Sequence, residues 1–173
     1  AFRTRNVGRG VGVSSRDNNV ACVDAAYTGK FDDEQPAPLV QVNDNMHLLE
    51  LWHGPTSAFK DMALQIMPRL LSRALKMTDE SRTAHILVAT SGDTGKAALE
   101  GYSDVDGVKI TVFYPVDGVS RMQKLQMTTT LGGNVYVAAV DGNFDDAQNG
   151  VKAIFGDASL ADKANENGFF FSS

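Results

Sequence analysis

From residue 85 onward the chain alternates short apolar runs of strand length with stretches whose apolar residues recur at three- and four-residue steps. The runs at 85–90, 108–114 and 134–140 precede helical patterns at 96–102, 120–131 and 144–155, and Ser120 stands where an N-cap belongs. Antiparallel strands can be joined by a tight turn, whereas parallel strands need a crossover of a dozen or more residues. The alternation therefore predicts an α/β fold, a doubly wound, mostly parallel sheet with flanking helices. Residues 169–173, Phe-Phe-Phe-Ser-Ser, read as a further strand.

Upstream the pattern is weaker. Residues 1–34 are rich in Gly, Asn, Asp and Arg and read as loop and short elements, so residues 1–47 are taken as an irregular appended region and 48–173 as the α/β core. Extended candidates at 39–42 and 48–52 lead to the turn at Gly54-Pro55. Phe59, Met62, Ala63, Ile66, Met67, Leu70, Leu71 and Ala74 then predict one helix over about 57–77, kinked at Pro68.

Composition narrows the function classes. Of 173 residues, 43% are hydrophobic and 21% charged, as in an ordinary globular chain. A net charge of −5 without a basic stripe argues against nucleic-acid binding. The apolar runs are too short for a bilayer, and residues 1–20 lack the apolar core of a signal peptide, so no membrane partner and a cytoplasmic location are expected. The single cysteine, Cys22, forbids an internal disulfide and reads as a small buried hydrophobe. His47, His53 and His85 lack metal-site spacing, so no metal is expected. Gly8-Arg-Gly-Val-Gly12 has glycine-loop composition, but no strand precedes it and no helical pattern follows, which favours a plain loop.

Two segments can carry chemistry. In Glu50-Leu-Trp-His-Gly-Pro-Thr-Ser-Ala-Phe-Lys60-Asp61 a lysine sits just past a Pro-Thr turn at the expected helix start. A positive helix end and partial burial both disfavour an ammonium ion, which suits an amine that attacks a carbonyl. By position alone, an ordinary solvated first-turn lysine is the commoner outcome. The loop Thr90-Ser-Gly-Asp-Thr-Gly-Lys96 runs from strand into helix, where unpaired backbone N–H groups gather anions. It is not a Walker loop, since Thr90 and Ala97 stand where that motif needs Gly and Ser or Thr. Taken alone, a plain turn capped by Asp93 or Thr94 is as good a reading.

Together with Phe113-Tyr-Pro115, Gly118-Val-Ser120, Gln123, Gln126-Met127 and Gly142-Asn-Phe-Asp-Asp-Ala-Gln148, these segments resemble, in order, the threonine synthases among the fold-type II pyridoxal-phosphate enzymes. The resemblance spans most of the chain from Tyr27 onward. It implies pyridoxal 5'-phosphate as cofactor and a carbon–oxygen lyase of threonine biosynthesis, converting O-phospho-L-homoserine and water to L-threonine and phosphate. It implies Lys60 as the catalytic Schiff-base lysine, with Phe59 and Asp93 as further cofactor contacts. Ser91, Gly92, Asp93, Thr94 and Gly95 would receive the substrate carboxylate, and Lys96, Ser120 and Gln123 would contact its phosphate or carboxylate. Many fold-type II relatives have Asn where this chain has Asp93, and the aspartate points away from cysteine synthase and threonine deaminase. The alternatives are another fold-type II lyase of the serine or threonine dehydratase kind, or a non-catalytic anion-binding module. The resemblance also implies a fragment, inactive by itself, that holds most of the smaller domain and the lysine-bearing helix. The cofactor's phosphate loop and pyridine-nitrogen partner would lie beyond Ser173.

Overall fold

The computed structural model describes residues 15–173, so Gly8-Arg-Gly-Val-Gly12 lies outside the described residues. The first element, α1 (Ser15–Tyr27), is a 13-residue helix in a region expected to be irregular. Its sequence has no marked apolar stripe, and tertiary contacts hold it. The Tyr27 hydroxyl donates to the Met62 carbonyl at 2.6 Å, Arg73 donates to Asn19 Oδ1 at 3.0 Å, and Ala26 is fully buried. Helices of this length draw their stability mainly from packing, which periodicity alone does not reveal here. Cys22 is only half-buried, with Sγ 3.9 Å from the Arg69 carbonyl oxygen, rather than sunk in the core.

Strands β1 (Leu39–Asn43) and β2 (Met46–Leu49) pair antiparallel, with Leu39 opposite Leu49. Asn43 organises the turn by accepting the Asn45 N–H at 3.0 Å. The limit expected between residues 47 and 48 thus falls inside β2.

The single kinked helix expected over 57–77 is two helices, α2 (Asp61–Leu64) and α3 (Met67–Met77). Pro68 lies in the first turn of α3 and starts a helix instead of bending one, as its fixed φ and missing N–H favour. It cannot donate to the carbonyl four residues back, that of Leu64. That oxygen lies instead against Gly101, where an added Cβ would meet it at 1.9 Å.

Next come β3 (Thr83–Ala89), α4 (Asp93–Tyr102), β4 (Val108–Pro115), α5 (Arg121–Thr128), β5 (Val135–Val140), α6 (Phe144–Gly156), α7 (Ala158–Glu166) and β6 (Phe169–Ser172). The strand order is β5-β4-β3-β6, and every pairing in this sheet is parallel. The expected α/β architecture is therefore present. Helix α7, capped by Asp157 through the Ser159 and Leu160 amides, is an element the sequence pattern did not single out. Ile86, Val108, Ile110, Val112 and Tyr114 pack with Leu99 and Tyr102 of α4, Leu75 of α3 and Met127 of α5 into one buried cluster. Ala147 and Val151 of α6 are buried as well, and α6 packs against β3 and β4. Among the described residues no helix is long and apolar enough to cross a membrane.

The Leu64–Gly101 approach is directly testable. Gly101→Ala puts a methyl against backbone that cannot swing aside, and should destabilise the fold by about 1–3 kcal/mol or more. Gly150→Ala, at a helical position where a Cβ meets nothing within 4 Å, should be neutral or stabilising by up to about 1 kcal/mol. Urea denaturation of the two variants measures the contrast.

Candidate active site

The turn before Lys60 is built around a buried carboxylate. Asp61 has no exposed surface. Its Oδ2 accepts the Thr56 N–H at 2.8 Å and its Oδ1 accepts the Thr56 hydroxyl at 2.7 Å. Burial pushes the Asp61 carboxyl above its usual range, and the Thr56 hydrogen bonds pull it back. The Asp61 side chain fills the space beside Gly54, where a Cβ would lie 2.5 Å from Oδ2. Between the two ends, Ser57 is held at φ 58°, a left-handed conformation that costs a non-glycine residue about 1–2 kcal/mol. Thr56, Asp61 and Gly54 thus form a bracket that the sequence reading did not identify, although the Pro-Thr turn pointed to its position.

Lys60 occupies the N-cap of α2 with helical dihedrals. Helix α2 has only four residues, so the dipole of a long helix invoked from the sequence does not act there. The Lys60 Nζ lies 4.6 Å from the centroid of the Phe59 ring, and Phe59 is itself exposed. Among the described residues no carboxylate pairs with the Lys60 ammonium.

The second segment is organised by Thr90, a residue outside the expected site and 1% exposed. Its Oγ1 accepts the N–H of Gly92 at 3.0 Å and of Gly95 at 2.8 Å, wrapping the loop around one hydroxyl. Gly92 is the N-cap of α4 at φ 143°, a backbone conformation that L side chains rarely adopt. The N–H groups of Asp93 and Thr94 begin α4 and have no carbonyl four residues back within the helix, and among the described residues no side chain caps them. Among the described residues Asp93 makes no hydrogen bond to these amides and instead accepts the Gln123 Nε2–H at 2.8 Å.

Helix packing relates the two segments. Asp61 experiences the charges of Lys96 and Glu100 on α4, while Leu64, one turn on, meets Gly101. Helix α2 packs on α4, so the turn that carries Lys60 adjoins the helix that residues 91–95 begin. Two expected contacts are engaged elsewhere. Lys96 Nζ donates to Glu100 Oε2 at 3.0 Å and Thr130 Oγ1 at 3.2 Å. Ser120 caps α5, its Oγ accepting the Gln123 N–H at 3.2 Å. The concavity of about 550 Å³ lined by Tyr27, Phe31, Asp32, Asp33 and Glu34 carries acidic walls, the wrong sign for a phosphate-bearing group, and excludes Lys60.

His53 has a role that its spacing did not reveal. Its Nδ1 lies 2.6 Å from Asp32 Oδ1 and its Nε2 2.7 Å from Glu50 Oε2, tying the start of the Lys60 turn to the segment after α1. The hydrogen bond to Glu50, then that to Asp32, raises the imidazole above its ordinary value.

A family model described as pyridoxal-phosphate dependent enzyme matches residues 31–173. A threonine synthase of Pseudomonas aeruginosa is 50% identical over 129 residues, covering 75% of this chain and 27% of that protein. A threonine synthase of Saccharomyces cerevisiae is 41% identical over 145 residues, 78% of this chain and 28% of that one. The crystal structure of PLP-bound threonine synthase from Brucella melitensis superposes with a TM-score of 0.81 at 38% identity, covering 92% of this chain and 33% of that chain. The chain thus spans a third or less of the length of these relatives.

The His53 bridge carries a pH signature. Its folded-state value is raised above 6.5, so its contribution is fully present below pH 6.5 and is lost as pH rises through the folded value. His53→Gln should remove this component. Thermal midpoints from pH 6 to 9 should fall more steeply in the parent than in the variant, and parallel curves would refute the bridge.

Proposed function

The chain belongs to the pyridoxal-phosphate dependent enzyme family, and from that premise we propose that it forms part of a threonine synthase that makes L-threonine and phosphate from O-phospho-L-homoserine and water. The observation that carries this reading is the packing of α2, which starts at Lys60, against α4, whose Asp93 and Thr94 amides make no side-chain hydrogen bond among the described residues. Names of relatives at 41–50% identity support the substrate.

The residues present fit the cofactor. Among the described residues the Lys60 Nζ pairs with no carboxylate, and the exposed Phe59 ring beside it offers a planar ligand an apolar face. When bound, pyridoxal 5'-phosphate supplies the electron sink that lets carbanions form on the substrate. Lys60 holds the cofactor through Nζ and carries protons to and from the substrate carbons. The Asp61–Thr56 bracket keeps that amine aimed, as an anchored turn does better than a mobile one. The amides at the start of α4 bind the substrate carboxylate, with the Ser91 and Thr94 hydroxyls beside them. Phe59 would offer the cofactor an aromatic wall, and Asp93 would be a further contact to it. Residues 48–173 carry most of the smaller domain and the lysine-bearing turn. The reading assigns the protein to amino-acid biosynthesis in the cytoplasm.

The test uses the full-length protein that carries this chain. Borohydride reduction with bound cofactor, followed by peptide mapping, should label Lys60. Lys60→Ala should lower phosphate release from O-phospho-L-homoserine by at least about 10²–10⁴-fold, the scale of proton transfer alone, and Lys60→Arg should fail too. Labelling of another lysine would defeat the assignment, and serine deamination without phosphate release would defeat the substrate.

A further inference from the structure

We propose that Gln123 is a positioning residue that holds Asp93 away from the start of α4 and so keeps the anion-binding amides there open. The inference rests on the reading of residues 91–95 as the carboxylate site, and three observations carry it.

The first is the orientation of the Gln123 amide. Gln123 is the third residue of α5, and its Oε1 accepts the Ser120 N–H at 3.0 Å while Ser120 Oγ accepts the Gln123 N–H at 3.2 Å. This reciprocal box requires the oxygen to face Ser120, which leaves the NH₂ group facing Asp93 Oδ1 at 2.8 Å. A flipped amide would set N–H against N–H at Ser120 and oxygen against carboxylate at Asp93.

The second is what Asp93 would otherwise do. A carboxylate at the first position of a helix is drawn to the nearby free amides, and short acidic side chains bond local backbone readily. Among the described residues Thr90 Oγ1 takes the Gly95 amide of α4, and no side chain takes those of Asp93 and Thr94. A self-capping Asp93 would occupy the donors that an incoming anion needs and would place negative charge beside it. The Gln123 donor gives the carboxylate an alternative partner on a neighbouring helix.

The third is the space the clamp takes. The Gln123 amide lies where a side chain on residue 92 would be, with an added Cβ only 2.3 Å from Nε2. Gly92 therefore serves the clamp as well as the backbone turn.

Gln123→Glu separates capping from clamping. Glutamate completes a capping box as well as glutamine does, but it turns an oxygen toward Asp93. Combining Asp93→Asn with Gln123→Glu reverses the direction of the hydrogen bond at unchanged total charge. Two readouts on the full-length protein decide the matter. In the cofactor-loaded enzyme, Gln123→Glu should raise KM for O-phospho-L-homoserine about tenfold, with a smaller change in kcat and little change in Tm. In the cofactor-free protein, urea unfolding of the four-member cycle should show the double variant more stable than the sum of the single variants by about fivefold or more in the unfolding constant. Gln123→Met, which loses both cap and clamp, should lower Tm and raise KM. Additive single variants in the cofactor-free cycle would overturn the proposal, as would a KM that rises only in step with lost Tm. Absence of turnover in the parent would count against threonine synthesis itself, while the cofactor-free cycle would still decide the clamp.

Discussion

The close approach of the Leu64 carbonyl to Gly101 is the contact on which the arrangement of the site depends. Helix α2 has four residues and cannot hold its place by its own hydrogen bonds. It is placed by lying against α4, and it can lie that close only because residue 101 has no side chain. Pro68 contributes from the other side, since its missing N–H leaves the Leu64 oxygen without a helical partner. Alpha-carbon hydrogens of glycine are weak donors to such an oxygen. Shape is the larger factor: any side chain at 101 would push α2 outward and carry Lys60 with it.

Asp61 transmits that placement to Lys60. A buried carboxylate is costly unless its oxygens are satisfied, and both are satisfied by one residue, Thr56, five positions back. The turn between them is short enough to force Ser57 into a left-handed conformation. Such local strain persists only where the surroundings over-determine it. The turn is therefore rigid for a reason that can be stated, and that rigidity lies one residue from Lys60.

The four-stranded sheet was legible because its signal is repeated and local. Strands such as β4, Val-Lys-Ile-Thr-Val-Phe-Tyr-Pro, combine β-branched and aromatic residues, and each is separated from the next by a helical pattern. Features that depend on distant partners were not legible. Helix α1 is held by Met62 and Arg73, far along the chain. The break between α2 and α3 interrupts an apolar periodicity that runs straight through it, because Pro68 suits a helix start as well as a kink. His53 lacks metal spacing and was set aside, yet its partners at 32 and 50 are carboxylates that no motif connects. The glycine loop was legible as a strand-to-helix connection from composition and place. Thr90 was not, since nothing in a strand-end threonine announces that its hydroxyl will hold two loop amides.

Parallel strands explain why the remaining pieces meet. Each strand of such a sheet delivers its following helix start to the same edge, so the starts of α4, α5 and α6, at Gly92, Ser120 and Asn143, all lie beyond the carboxyl ends of β3, β4 and β5. Neighbouring strands β3 and β4 bring the first two together, which is why Gln123 can reach Asp93 across 30 positions of sequence. Lys60 comes from outside the sheet, and no strand carries it to that edge. Its route is the docking of α2 on α4, with Leu64 on Gly101. The placement of the 91–95 loop thus follows from sheet topology, whereas that of Lys60 depends on one glycine and one buried aspartate. A variant that alters Gly101 or Asp61 should therefore displace the Lys60 turn while leaving the sheet and the 91–95 loop in place.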